Sequence, residues 1–179
     1  MPAENRTTMR KIALVVLALA AVTIAAQAAK PDKKARAARQ ELAVKERLDS
    51  RDFRIDVRRA MPMGGRTVSL SSSYSVKIKG DSVYSFLPYF GRAYSLPYGG
   101  GDGLIFDGVM TDYESGPGKK GATDITFGVR TPEDTFRYRI EVFDNGTSYI
   151  SVMSNNRQEI SFQGDLRTGV PERKSGPKE

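Results

Sequence analysis

The chain has 179 residues, enough for one domain of ordinary size with appendages, and it contains no Cys, His or Trp. The absence of Cys excludes a disulfide framework, a thiolate metal site, a cysteine nucleophile and a lipid-bearing cysteine, and the absence of His excludes a Ser-His-Asp triad and the usual imidazole ligand for zinc or copper. The formal charge is +7, but residues 52–179 hold 17 Lys and Arg against 16 Asp and Glu, so the excess lies at the N-terminal side and no nucleic-acid partner is expected.

Arg10 and Lys11 precede an apolar run over residues 12–24, and Ala26, Gln27 and Ala28 then supply the small residues a signal peptidase reads. Residues 1–28 are therefore expected to be a signal peptide cut after Ala28, delivering a soluble product to the periplasm or beyond. The run is shorter than the ~20 apolar residues a spanning helix requires, so no transmembrane segment is expected in the mature chain. Residues 29–51 are rich in Ala, Lys, Arg, Glu and Leu, all good helix formers, with Asp32 as N-cap. The apolar positions Ala35, Ala38, Leu42, Val44 and Leu48 make a thin stripe among Arg36, Arg39, Lys45 and Arg47. Such a basic helix is expected to lean one narrow face on the domain rather than to bind a membrane surface.

From residue 52 to 167 the pattern changes to period-two alternation, the mark of strands with one wet face. Phe53, Ile55 and Val57 make the first strand, ended by Met61, Pro62, Met63, Gly64 and Gly65; Val68 and Leu70 continue the alternation, and Val76 and Ile78 lead through a tight turn at Gly80 and Asp81 into residues 82–87. After an aromatic and glycine-rich loop, a strand starts at Leu104 and is expected to run to Tyr113, with a solvated turn over 115–121. Ile125, Phe127 and Val129 alternate, as do Phe136, Tyr138, Ile140 and Val142. Asn145 and Gly146 then suit a type I′ hairpin into Ile150 and Val152, and residues 160–162 form a last short strand. Residues 168–179 have nothing to bury and are expected to be a disordered tail. About eight strands separated by short turns predict a mainly β fold, an antiparallel meander forming a small barrel or a sandwich; alternation alone is common to both.

The strings LPYFGRAYSLPYGGGDG at 87–103, SNNRQEISFQG at 154–164 and AMPMGGR at 60–66 resemble the exported domains catalogued as domain of unknown function 4251, found in Gram-negative gut-type anaerobes. The likeness covers roughly residues 52–164 and implies export, a mostly β fold and no assigned activity. Many such proteins carry a lipid-anchor cysteine, which this chain lacks.

The aromatic loop offers the first candidate site. Tyr89, Phe90, Arg92, Tyr94 and Tyr98 suit a pocket in which rings stack on a sugar or apolar ligand and the guanidinium takes a carboxylate, or else a lid of rings folded onto the barrel end. Asn155, Asn156 and Arg157 suit a turn that holds a polar ligand, or one that satisfies its own backbone with Arg157 paired to a carboxylate. Asp102, Asp107, Asp112 and Glu114 raise a calcium site or a carboxylate pair for glycoside hydrolysis, but the spacing does not fit an EF-hand loop, and acids alternating on a strand usually form a solvated face. Gly64, Gly65 and Arg66, like residues 99–101, lack the following lysine and helix of a phosphate-binding loop. The expectation is an exported, non-enzymatic β domain that binds a small ligand or an envelope partner through the aromatic loop, without cofactor, metal or catalytic residues. The alternatives are a carboxylate-dependent hydrolase of glycans or peptides and a purely structural envelope factor.

Overall fold

The structure is a computed structural model that describes residues 33–94 and 103–169. The expected signal peptide, the expected Asp32 cap, Tyr98, Asp102 and most of the expected tail fall outside these residues. The chain divides into two units, Met1–Arg36 and Ala37–Glu179; the first contributes only residues 33–36 to the description, and the second holds the fold.

Helix α1 (Lys33–Asp49) leads into nine strands: β1 (Asp52–Pro62), β2 (Val68–Ser69), β3 (Ser75–Lys79), β4 (Ser82–Leu87), β5 (Leu104–Pro117), β6 (Thr123–Arg130), β7 (Thr135–Val142), β8 (Thr147–Ser154) and β9 (Ile160–Leu166). Every pairing is antiparallel and joins sequence neighbours, except that β1 pairs β3 as well as β2, and β9 returns to pair β1. That last pairing, from Ile55↔Leu166 to Pro62↔Ile160, closes β1 and β3–β9 into an eight-stranded barrel, with β2 added beside β1. The choice between barrel and sandwich is settled there.

Two long strands turn the corners. β1 gives residues 52–56 to β3 and 55–62 to β9, while β5 gives 104–109 to β4 and 110–117 to β6. Each carries a bulge, between Val57 and Arg59 in β1 and between Thr111 and Glu114 in β5, and each bulge switches the inward positions by one residue. In β1 the buried series Phe53, Ile55, Val57 therefore resumes at Ala60, and in β5 Leu104, Phe106 and Met110 are followed by Tyr113. The β1 bulge lies against Gly164, whose missing side chain lets the two backbones meet.

The interior is filled by side chains, as expected for a barrel of eight strands. Phe127 and Tyr138 stack at 5.0 Å, Phe106 and Phe136 at 4.6 Å, and Tyr113 continues the series against Phe127 at 6.3 Å. Tyr138 is fully buried; Ser85 Oγ donates to the Leu104 carbonyl at 2.7 Å, which leaves the Tyr138 hydroxyl to donate to Ser85 Oγ at 2.9 Å. Val44 and Leu48 of α1 join this core, and Gln40 Nε2 reaches the Asn145 carbonyl at 3.4 Å, so the helix covers the barrel end that bears the β7–β8 turn.

Several local expectations are corrected. The helix stripe is narrower than its apolar residues suggest, because Ala35 and Ala38 are exposed and Leu42 is 68% exposed. Strand β5 runs on to Pro117, since its second half pairs β6, and β9 runs to Leu166 because β1 and β8 flank it. The segment at Val68 pairs for only two residues. The β7–β8 turn is not type I′: Gly146 has φ 87° but Asn145 is not at positive φ. Gly146 N donates to the Phe143 carbonyl at 2.8 Å, which makes a type I turn followed by a left-handed glycine. Among the described residues no helix is long and apolar enough to cross a membrane.

Candidate functional site

Antiparallel order sends alternate connections to opposite ends of the barrel. The β1–β2, β4–β5, β6–β7 and β8–β9 connections share the end opposite α1, so the candidates at 89–94 and at 155–157 come together there although more than sixty residues separate them. Backbone pairing joins them directly. Tyr94 N donates to the Asn156 carbonyl at 2.7 Å, Gln158 N donates to the Arg92 carbonyl at 2.9 Å, and Ala93 bridges to Arg157.

Within this end the candidates have different fates. Tyr89 is half-buried, and its hydroxyl lies 2.8 Å from the carbonyls of both Arg92 and Gln158. Burial holds its phenol above the ordinary pKa, while the neighbouring Arg157 charge pulls the other way. Arg157 is buried, with its guanidinium carbon 5.4 Å from the centre of the Tyr89 ring and Nη1 donating to the Gly103 carbonyl. Tyr89 stands near the start of the aromatic loop and Gly103 at its end, so Arg157 ties the base of that loop together, holding a carbonyl and a ring where a carboxylate was expected. Asn156 serves the turn: its Nδ2 donates to the Glu133 carbonyl at 3.2 Å. The carboxylate of buried Asp134 accepts from Thr135 N at 2.7 Å, Asn155 N at 3.2 Å and Asn156 N at 3.3 Å, clamping the β6–β7 turn to the β8–β9 turn.

Phe90 and Arg92 face elsewhere. With Gly91, Gln158 and Pro62, Met63, Gly64, Gly65, Arg66 and Val68 they line an open groove of about 420 Å³ between the β1–β2 loop and the start of the aromatic loop. Phe90 is 46% exposed, and neither Arg66 nor Arg92 takes part in an ion pair among the described residues. A lining of two exposed arginines and an exposed ring suits a ligand with an anionic group and an apolar part. Tyr94 stands 72% exposed beside this end, and Asn155 is exposed at the rim of a separate depression shared with Met153 and Arg137. Nothing in residues 63–66 or Gln158 taken alone marks a site; the signal the sequence holds is that AMPMGGR and SNNRQ stand in the same three-string likeness as the aromatic loop.

The acidic candidates among the described residues do not converge. Asp107, Asp112 and Glu114 are exposed along β5, and Asp107 and Glu114 stand seven positions apart, on the order of 20 Å along a strand. Asp107 pairs Tyr84 across the sheet and Glu114 pairs Thr126, and Asp112, at φ 52°, belongs to the bulge. Among the described residues no group of three Asp or Glu side chains is placed to hold a metal ion.

The comparisons with known proteins bear on this architecture. No curated protein matches the chain. Among solved structures it is similar to the crystal structure of a DUF4251 family protein from Bacteroides eggerthii DSM 20697, at 18% identity and a TM-score of 0.57, over 71% of this chain and 86% of that one. At that identity the likeness speaks for the fold. The family of domain of unknown function DUF4251 matches residues 35–166, which take in nearly all of α1 and every strand to the end of β9. Because that match runs over well more than half of the chain and takes in the whole closed barrel, the chain belongs to the DUF4251 family.

Proposed function

We propose that the chain is an exported, non-enzymatic binding protein that holds a small anionic ligand in the groove between the β1–β2 loop and the aromatic loop. The observation that carries the reading is that one groove is lined by two arginines without ion-pair partners among the described residues, Arg66 and Arg92, together with the exposed Phe90. Export is supported by the charged, apolar and small-residue pattern of residues 1–28. The filled interior favours a ligand at the barrel end over one inside the barrel. Arg66 and Arg92 take the anionic group, Phe90 covers the apolar part, and Tyr89 and Arg157 hold the loop in place from behind. A hydrolase acting through the β5 acids is not favoured, because Asp107 and Glu114 lie too far apart to flank one bond.

The test is native mass spectrometry of the chain recovered gently from the periplasm, beside an Arg66→Ala, Arg92→Ala double variant. A co-purifying acidic mass that the variant loses supports the reading and begins to name the ligand. A bare chain in both, with no small acid from a carboxylate and phosphate panel bound in a follow-up titration, overturns it and moves the weight to a structural envelope role.

A further inference from the structure

The outer wall of a closed barrel is ordinarily wet, and on most strands here it is. β6 and β7 turn Asp124, Thr126, Arg137, Arg139 and Glu141 outward, and β9 turns out Ser161, Gln163 and Asp165. β8 turns out Tyr149 and Met153 among polar residues, and β4 and β5 depart furthest from the rule. Their outward positions carry Tyr84, Phe86, Ile105 and Val109, all exposed, and Tyr74 stacks on Phe86 at 5.3 Å from just before β3. Phe86 and Ile105 are direct cross-strand partners and Tyr84 lies two positions along β4 on the same face, so these three form one patch rather than scattered exceptions, with Val109, the partner of Ser82, beyond Asp107 at its end.

The charges beside this patch have a particular arrangement. Lys77 of β3 pairs Tyr84 of β4, and Tyr84 pairs Asp107 of β5, so one row across the sheet reads cation, aromatic, anion. Lys77 and Asp107 are both exposed, and neither joins an ion pair among the described residues. Neighbouring strands lie about 4.8 Å apart, which puts Lys77 and Asp107 about 5 Å to either side of the Tyr84 line.

From this row we infer that the β3–β4–β5 face is a self-complementary dimer surface whose occupant is a second copy of the chain. A two-fold axis lying in the interface along β4 carries a point on one side of that strand to the other side. It therefore sets the second copy's Lys77 opposite Asp107 and its Asp107 opposite Lys77. Phe86 meets its own equivalent on the axis, and Ile105 meets the ring of Tyr74. The β4 strands of the two copies then run in the same sense, within the ~30° range of aligned sheet packing, at the ~10 Å separation of stacked sheets. A two-fold interface requires each patch to complement itself, and opposite charges at equal height on either side of an aromatic row meet that requirement. Closure of the barrel is consistent with this: among the described strands only the two-residue β2 is an added edge, so strand-edge pairing between copies has little to build on.

The test is sedimentation velocity of the purified chain over a range of concentrations, with Lys77→Glu, Asp107→Lys and the two combined. The wild type is expected to dimerise as concentration rises. Each single reversal places like charges opposite each other twice per dimer and is expected to weaken association about tenfold or more, whereas the double exchange restores it to within about threefold. Both side chains are exposed, and matching thermal melts of the four proteins check that the fold is unchanged. A chain that stays monomeric at every concentration overturns the inference and leaves the face to another occupant. A dimer indifferent to either single reversal, or one not restored by the double exchange, overturns it equally.

Discussion

Replacing Gly164 by Ala tests the closure of the barrel at its tightest point. A β-carbon there would lie 3.0 Å from both the carbonyl carbon of Asp56 and the α-carbon of Val57, and closer still to the Asp56 carbonyl oxygen. Carbon atoms rest at about 3.5–4.0 Å, so β1 and β9 must part by about half an ångström or more, or the β1 bulge must shift. The obstructing atoms are main chain and cannot rotate aside. Overpacking by one methyl costs about 1–3 kcal/mol, and main-chain obstruction puts this site near the upper end, so after the ~0.4–1 kcal/mol that Ala gains over Gly by restricting the unfolded chain the net loss is about 2 kcal/mol. In a domain of this size that lowers the melting temperature by roughly 6–10 °C. Gly116, on β5 with nothing within 4 Å of its would-be β-carbon, is the matched control, and Gly116→Ala is expected to leave the melt unchanged or raise it slightly. The assay is thermal unfolding followed by far-ultraviolet circular dichroism. If Gly164→Ala melts with the wild type or above it, the β1–β9 contact is not as close as described and the argument fails.

Ser85→Ala is expected to cost more than Tyr138→Phe, about 1–3 against about 1 kcal/mol, because the first leaves a fully buried phenol without its acceptor while the second leaves Ser85 bonded to the Leu104 carbonyl; denaturant unfolding of both variants checks the order. Burial raises the pKa of Tyr138 strongly, and those of Tyr113 and Tyr89 in the same direction, so the stability these groups contribute is complete below the ordinary phenol pKa of about 10 and is lost as pH rises beyond it. Ultraviolet titration should accordingly find the Tyr138 phenol ionising only together with alkaline unfolding, and a freely titrating set of eight tyrosines would contradict its burial. Asp134→Ala removes the acceptor of three backbone N–H groups and should cost about 2–3 kcal/mol, with hydrogen exchange quickening at Asn155 and Asn156 before it does in β7.

Much of the architecture is local information. Alternation at Phe53, Ile55 and Val57, or at Phe136, Tyr138, Ile140 and Val142, depends on a residue's immediate neighbours, and so marks a strand and its inner face without reference to any partner. Composition acts in the same direct way, since a chain without Cys or His cannot perform their chemistry wherever it folds. What depends on pairing is not written in any one segment. The same alternation serves a sandwich and a barrel, and only the β9 return to β1 closes this one. The run of β5 to Pro117 is set by β6, which supplies partners to residues whose own composition resembles a turn. Arg157 and Tyr94 are two polar residues on distant loops until Ala93 bridges to Arg157; one is then spent inside the fold and the other left in solvent. The groove of Arg66, Phe90, Arg92 and Gln158 exists for the same reason: even-numbered closure brings three loops, far apart in the chain, to one end of the barrel, a long-range consequence that no window of sequence contains.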